Sequence, residues 1–101
     1  MKDTEAIGYI VMGVCRLGYG LDVIFQTMDL AQVMVSQTLK EELWNEDVIL
    51  VIEKLVNEME INEENLKGEV YWSFDVHTEK EAHNIYEKFI DLRKNESKLT
   101  R

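Results

Sequence analysis

Apolar residues in the first third of the chain recur at alternating steps of three and four positions. The series comprises Ile7, Ile10, Val14, Leu17, Leu21, Ile24, Met28, Ala31 and Val35. This spacing places the side chains on one face and predicts a helix or a helical hairpin. The break is expected at residues 18–20, where two glycines flank a tyrosine. Residues 7–15 also fit a buried strand, because glycine and β-branched residues are mixed there and both faces are apolar.

The middle of the chain carries the clearest helical pattern. Asn45 is a good N-cap, and acids follow it where the positive end of a helix dipole favours them. Trp44 is placed to pack against Ile49 as a hydrophobic staple. One apolar face is formed by Val48, Ile52, Leu55, Val56 and Met59. The pattern predicts a helix from about Asn45 to Glu60, followed by a further turn that Asn62 caps and that ends near Gly68.

Residues 69–76 alternate between apolar and polar side chains. Val70, Trp72, Phe74 and Val76 alternate with Glu69, Tyr71, Ser73 and Asp75. A two-residue period is typical of a strand with one buried and one wet face. A lone strand leaves its backbone amides and carbonyls unpaired, so a second strand is needed. The candidates are the N-terminal segment, the same strand of a second copy across a dimer, and a strand from another protein.

The last helix is predicted by a capping box, in which Thr78 precedes Glu81 by three positions. Apolar residues at helical spacing then continue to about Lys94. The sequence therefore predicts an α+β fold that is predominantly helical. It would have three or four helices and one amphipathic strand at residues 69–76. Residues 1–94 would form a single compact domain, and residues 95–101 a flexible C-terminal tail.

Composition narrows the cellular setting. The chain has no proline and only five glycines among 101 residues, which favours long helices. One cysteine cannot form an internal disulfide, so a reducing compartment, the cytoplasm, is expected. No signal peptide is expected, and Arg16, Asp22 and Asp29 interrupt the apolar segment before it reaches the length of a membrane span.

Charge is distributed unevenly along the chain. The formal net charge is −9, which repels nucleic-acid phosphates and anionic membranes, so neither is an expected partner. Acidic residues become dense after Lys40. This stretch is either the solvated side of a helix or an anionic surface that competes for a basic groove on another protein. The candidate binding residues are Glu41, Glu42, Trp44, Glu46 and Asp47, with tryptophan as the anchor because it is enriched at binding hot spots.

The scarcity of charge between Ala6 and Leu39 predicts a homo-oligomer. A small domain has a large surface for its volume and does not easily hide so long an apolar segment inside itself. The predicted interface consists of Ile10, Val14, Leu17, Leu21, Ile24 and Met28.

No motif for chemistry stands out. His77 and His83 lack the one-turn separation that would place two metal ligands on a common helical face, so no metal site is predicted. Cys15 lies in apolar surroundings and is expected to be an inert thiol. The glycines match neither the phosphate-binding loop nor the dinucleotide motif. We therefore predict neither catalytic residues nor cofactors.

These features predict a small acidic binding protein that regulates or inhibits a larger macromolecule. It would mask a basic surface, such as one that binds nucleic acid, as an accessory or mobile-element protein does. The alternative is an oligomeric sensor of a nucleotide or metabolite with a pocket at the subunit interface. That pocket would draw on Tyr9, Tyr19, Tyr71 and Trp72.

Overall fold

Five α-helices make up all of the regular structure in residues 1–99, the part of the chain that the computed structural model describes. They are α1 (Asp3–Arg16), α2 (Leu21–Ser36), α3 (Asn45–Glu58), α4 (Glu63–Val76) and α5 (Glu79–Leu99). The described residues contain no strand. The fold is therefore all-helical, and the predicted α+β class is wrong.

Helix α1 lies at the centre of the bundle. It packs against α2, α4 and α5 and also touches α3. Residues 6–14 are all buried, so every side of this helix faces protein. A helix that is apolar all round is typical of such a position. The alternative of an N-terminal strand at residues 7–15 is wrong, because its two apolar faces belong to a central helix.

The predicted break between the first two helices is confirmed. α1 ends at Arg16 and α2 begins at Leu21. Gly18 has a φ of 87°, in the left-handed region that glycine adopts without steric cost. The first third of the chain is thus a helical hairpin.

Helix α3 begins at Asn45, as the sequence predicts, and ends at Glu58. Trp44 occupies the N-cap position predicted for Asn45, and its backbone N–H donates to the Asp47 carboxylate at 2.8 Å. The predicted apolar face is confirmed, since Val48, Ile52, Leu55 and Met59 are buried. This face packs α3 against α2 and α4.

The predicted strand at residues 69–76 is the second half of α4. Its fully buried residues are Leu66, Val70 and Ser73, which follow one another at steps of four and three. The Ser73 hydroxyl satisfies itself by donating to the carbonyl oxygen of Glu69 at 3.0 Å. Ser73, a polar residue, takes a buried position, while the apolar Trp72 and Val76 lie on the exposed side of α4. The helical period of this segment is therefore not visible in its polarity pattern. No second strand is needed to pair with this segment.

The boundaries of α4 and α5 follow local capping signals. The Asn62 side chain accepts the backbone N–H of Asn65 at 2.9 Å, so the predicted cap is confirmed, but α4 runs on through Gly68. The Thr78–Glu81 capping box is confirmed by reciprocal hydrogen bonds of 3.0 and 3.1 Å. Helix α5 extends to Leu99, past the expected end near Lys94. The rest of the predicted tail, residues 100–101, lies outside the described residues.

Candidate binding surface

The loop between α2 and α3 carries most of the predicted binding residues. Leu43 is buried in this loop, and its backbone N–H donates to the carbonyl oxygen of Met1 at 2.8 Å. This contact fixes the loop beside the start of α1. Glu41 and Glu42 precede Leu43, and their side chains are exposed.

Carboxylates from four parts of the chain meet around this loop. Two shallow depressions, of about 480 and 350 Å³, share Met1, Glu42 and Glu79 in their linings. We use the name acidic surface for Glu5, Glu41, Glu42, Trp44, Glu46 and Glu79. Sequence reasoning did not connect Glu5 on α1 and Glu79 on α5 with this surface. Each is an acid in the first turn of its helix, a position that helix-dipole effects explain without a partner.

Trp44 stands out from this surface. Its side chain is 66% exposed, although tryptophan is among the most hydrophobic residues by area. The indole ring is not part of the buried core, and a staple against Ile49 would leave most of the ring in solvent. Trp44 therefore presents a large apolar ring to solvent beside Glu42 and Glu46.

The negative potential of the acidic surface reaches the side chain of Tyr9. Burial raises the pKa of this phenol most, and the charges of Glu79, Glu5 and Glu81 raise it further. The Tyr9 hydroxyl donates to the carbonyl oxygen of His77 at 2.8 Å. Some of the charge is offset locally, since the amino group of Met1 lies 3.6 Å from carboxylate oxygens of Glu42 and Glu79.

Asp47 lies beneath the acidic surface, where its side chain holds the start of α3. It is buried, and its carboxylate accepts the Lys40 ammonium at 2.7 Å and the backbone N–H of Trp44 at 2.8 Å. The hydrogen bond from Lys40, followed by that from Trp44, lowers the pKa of Asp47. The four other predicted residues, Glu41, Glu42, Trp44 and Glu46, are exposed.

The six residues of the predicted oligomer interface lie inside one copy of the chain to differing degrees. Ile10, Val14, Ile24 and Met28 are buried in the core. Leu17 and Leu21 are half-buried and pack against it. The apolar seam therefore supplies the core of the bundle, and an interface through these residues stays a prediction.

The predicted aromatic pocket is not assembled within one copy. Tyr9 and Tyr71 both meet the ring of Phe74, with ring centroids 4.9 and 6.2 Å away. Tyr19 lies elsewhere, beside Met59 at the end of α3. The four aromatic residues therefore do not share one cavity in this structure.

Other reactive groups are dispersed. His77 pairs with Glu81 at 3.2 Å, whereas His83 shares a hydrogen bond of 2.8 Å with Thr4. Within the part of the chain that the structure describes, no three or more His, Cys, Asp and Glu side chains are grouped as metal ligands. Burial raises the pKa of the Cys15 thiol.

Comparison with known proteins found no matching family model, no matching curated protein and no matching solved structure. None of the described helices combines the length and apolar character that a membrane crossing requires.

Proposed function

We propose that this chain is a small acidic binding protein that regulates or inhibits a larger macromolecule by covering a basic surface on it. The observation that carries the proposal is Trp44, which is 66% exposed and lines one depression together with Glu42, Glu46 and Glu79. These carboxylates come from three parts of the chain, namely the loop before α3, α3 and α5. A binding site with an aromatic centre and a charged rim is the usual anatomy of a protein interface.

Each part of the acidic surface has a distinct role in this proposal. The carboxylates attract a basic partner from a distance and speed its association. Burial of the Trp44 ring against the partner then supplies apolar contact area, which slows dissociation. A protein surface that binds nucleic-acid phosphates has the required positive charge. The chain would act in the cytoplasm. A homo-oligomer is not required for this contact, since all six residues of the acidic surface belong to one copy.

A charge-reversal variant with a matched control tests the acidic surface. The test variant combines Glu41→Lys, Glu42→Lys, Glu46→Lys and Glu79→Lys. The control combines Glu58→Lys, Glu60→Lys, Glu64→Lys and Asp91→Lys, which are exposed elsewhere and give the same net charge. Each protein also carries Trp72→Phe, so that Trp44 fluorescence reports the binding of a polyarginine peptide.

We expect the test variant to bind the peptide at least about tenfold more weakly than the control, equal to about 1.4 kcal/mol. Equal weakening in both variants would show that net charge alone attracts the peptide and would contradict the proposal. The same pair then serves as bait in host lysate. A basic protein that the wild type and the control retain, and the test variant loses, would be the macromolecule in question.

A further inference from the structure

A groove of about 330 Å³ lies between α1 and α5, beside the turn that joins α4 to α5. It shares no residue with the acidic surface. Its lining residues are Met12, His77, Glu81, Asn84, Ile85 and Lys88. We call it the α1–α5 groove. Its volume is at the lower end of the range for small-molecule sites, about 300–1,000 Å³.

The base of the α1–α5 groove is apolar. Met12 is buried on α1, and Ile85 is half-buried on α5 and packs against the core. A thioether makes favourable contacts with aromatic rings. His77 adds a ring at one side, and the exposed ring of Trp72 meets it edge-on with 5.8 Å between centroids. The groove thus offers a sulfur, a branched aliphatic chain and a ring edge to a flat apolar ligand.

Some polar groups of the groove are already engaged. The Glu81 carboxylate accepts the backbone N–H of Thr78 at 3.0 Å and pairs with His77. The hydrogen bond from Thr78 and then that from His77 lower the pKa of Glu81, so it stays ionised and occupied.

Asn84 and Lys88 remain open to a ligand. They are one turn apart on α5 and therefore lie on the same face of the helix. Among the described residues, no carboxylate lies within ion-pair distance of Lys88, and the Asn84 amide makes no hydrogen bond. The groove therefore pairs an apolar base with a cation and an amide that have no hydrogen-bond or ion-pair partner among the described residues.

We propose that the α1–α5 groove binds a small aromatic carboxylate. The Lys88 ammonium binds the carboxylate, the Asn84 amide donates a second hydrogen bond to it, and the ring lies on Met12 and Ile85. A charge-assisted hydrogen bond of this kind is about twice as strong as a neutral one. The net charge of −9 does not prevent this contact, because salt screens charges beyond about 10 Å while Lys88 acts at contact distance. Glu81, the carboxylate in the lining of the groove, lies about 10 Å from Lys88 along α5 and is hydrogen-bonded to Thr78 and His77.

Methyl NMR provides the test. The full chain is labelled with ¹³C at its methionine methyl groups, and the Met12 signal is assigned with Met12→Leu. Phenylpropionate is titrated in, and phenylpropionamide serves as the uncharged control ligand. We expect a saturable shift of the Met12 signal with the carboxylate and binding at least about tenfold weaker with the amide.

Three variants locate the anion contact. Lys88→Gln should weaken phenylpropionate binding by about tenfold, and Lys88→Arg should keep most of it. Lys80→Gln removes an exposed lysine from the same helix, outside the groove, and should change nothing. The proposal is overturned by an unsaturated Met12 response, by equal binding of the amide, or by equal effects of Lys80→Gln and Lys88→Gln. Because no acidic-surface residue is altered, these outcomes are independent of the proposed function.

Discussion

The carbonyl oxygen of Ala82 on α5 lies directly against the backbone of Gly8 on α1, in the space that a β-carbon at position 8 would occupy. Both residues are buried. The atom in the way is backbone, which cannot rotate aside as a side chain can. Glycine at position 8 is therefore a requirement of the close approach between the central helix and α5.

Gly8→Ala should destabilise the fold even though alanine favours helices. The added methyl group forces α1 and α5 apart, and overpacking of this kind costs about 1–3 kcal/mol. Urea denaturation followed by circular dichroism at the helical band measures the loss. An unchanged midpoint would show that the two helices are not held this closely.

Gly68→Ala is the matched control and should have the opposite sign. Gly68 lies inside α4, and a β-carbon there meets nothing within 4 Å. Alanine is favoured over glycine in a helix interior by about 1 kcal/mol. The same denaturation experiment should show an increase in the free energy of unfolding. A decrease would mean that position 68 is covered by protein in solution.

Asp47→Asn should reduce stability in a pH-dependent way. The hydrogen bonds from Lys40 and Trp44 lower the folded-state pKa of Asp47, so its stabilisation is complete above the unfolded value of about 4 and is lost as the pH falls through the folded value. The cost at neutral pH should be about 1 kcal/mol, typical of a lost helix cap. The difference in the free energy of unfolding between wild type and variant, measured by denaturation, should disappear in acid.

The exposed neighbour Glu46 supplies the control for this experiment. Glu46→Gln removes an adjacent carboxylate that has no hydrogen bond like those of Asp47, so stability should change little at any pH between 3 and 7. If the loss of stability in Asp47→Asn persists unchanged in acid, the ion pair between Lys40 and Asp47 is contradicted.

Arg93→Lys should loosen the end of α5. Arg93 donates two hydrogen bonds to Asp29 on α2, of 2.5 and 2.7 Å, and lies over the ring of Phe25. Lysine keeps the charge but cannot form the two-pronged contact. Both partners are partly exposed, so the global loss should be at most about 1 kcal/mol. Faster amide hydrogen exchange near residue 93, absent from α3, is the expected signature.

Fluorescence quenching should report the potential around Trp44. In a Trp72→Phe background, the quenching constants of caesium and iodide ions are each divided by their values for free N-acetyltryptophanamide. The normalised constant should be at least about twice as large for caesium as for iodide, because the carboxylates concentrate cations near the ring. Added salt should reduce the difference between the two normalised quenching constants, because it screens the carboxylates. Equal normalised quenching constants at low salt would show that the carboxylates do not lie close to the indole.

Local signals in the sequence predicted much of the helical structure. The caps at Asn62 and Thr78 depend on residues three positions apart, and the break at Gly18 depends on one backbone angle, so neighbours suffice to specify them. Residues 69–76 were misread because Ser73 occupies a buried helical position. Its hydroxyl donates a hydrogen bond to the carbonyl oxygen of Glu69, one turn earlier in α4, and a polarity pattern does not reveal this bond.

Tertiary packing accounts for the rest. The charge-poor N-terminal segment predicts an oligomer, which stays a prediction. Within one copy, the four other helices contact α1 and bury its residues 6–14, which the sequence alone does not reveal. The candidate site was recovered in part. Glu41, Glu42 and Glu46 are neighbours in sequence, whereas Glu5 and Glu79 join them only because α1 and α5 both start beside the same loop. Asp47, the fifth predicted binding residue, is buried, and its carboxylate accepts a hydrogen bond from Lys40.

The pairing of the first helix with the last one also sets the order of events during synthesis. While the ribosome is still making α5, the side of α1 that includes Gly8 and Met12 has no covering helix. Domains that close through contacts distant in sequence fold more slowly than those built from neighbours. The nascent chain therefore exposes an apolar stripe until α5 has been synthesised, and chaperones that recognise such stripes have their opportunity in that interval.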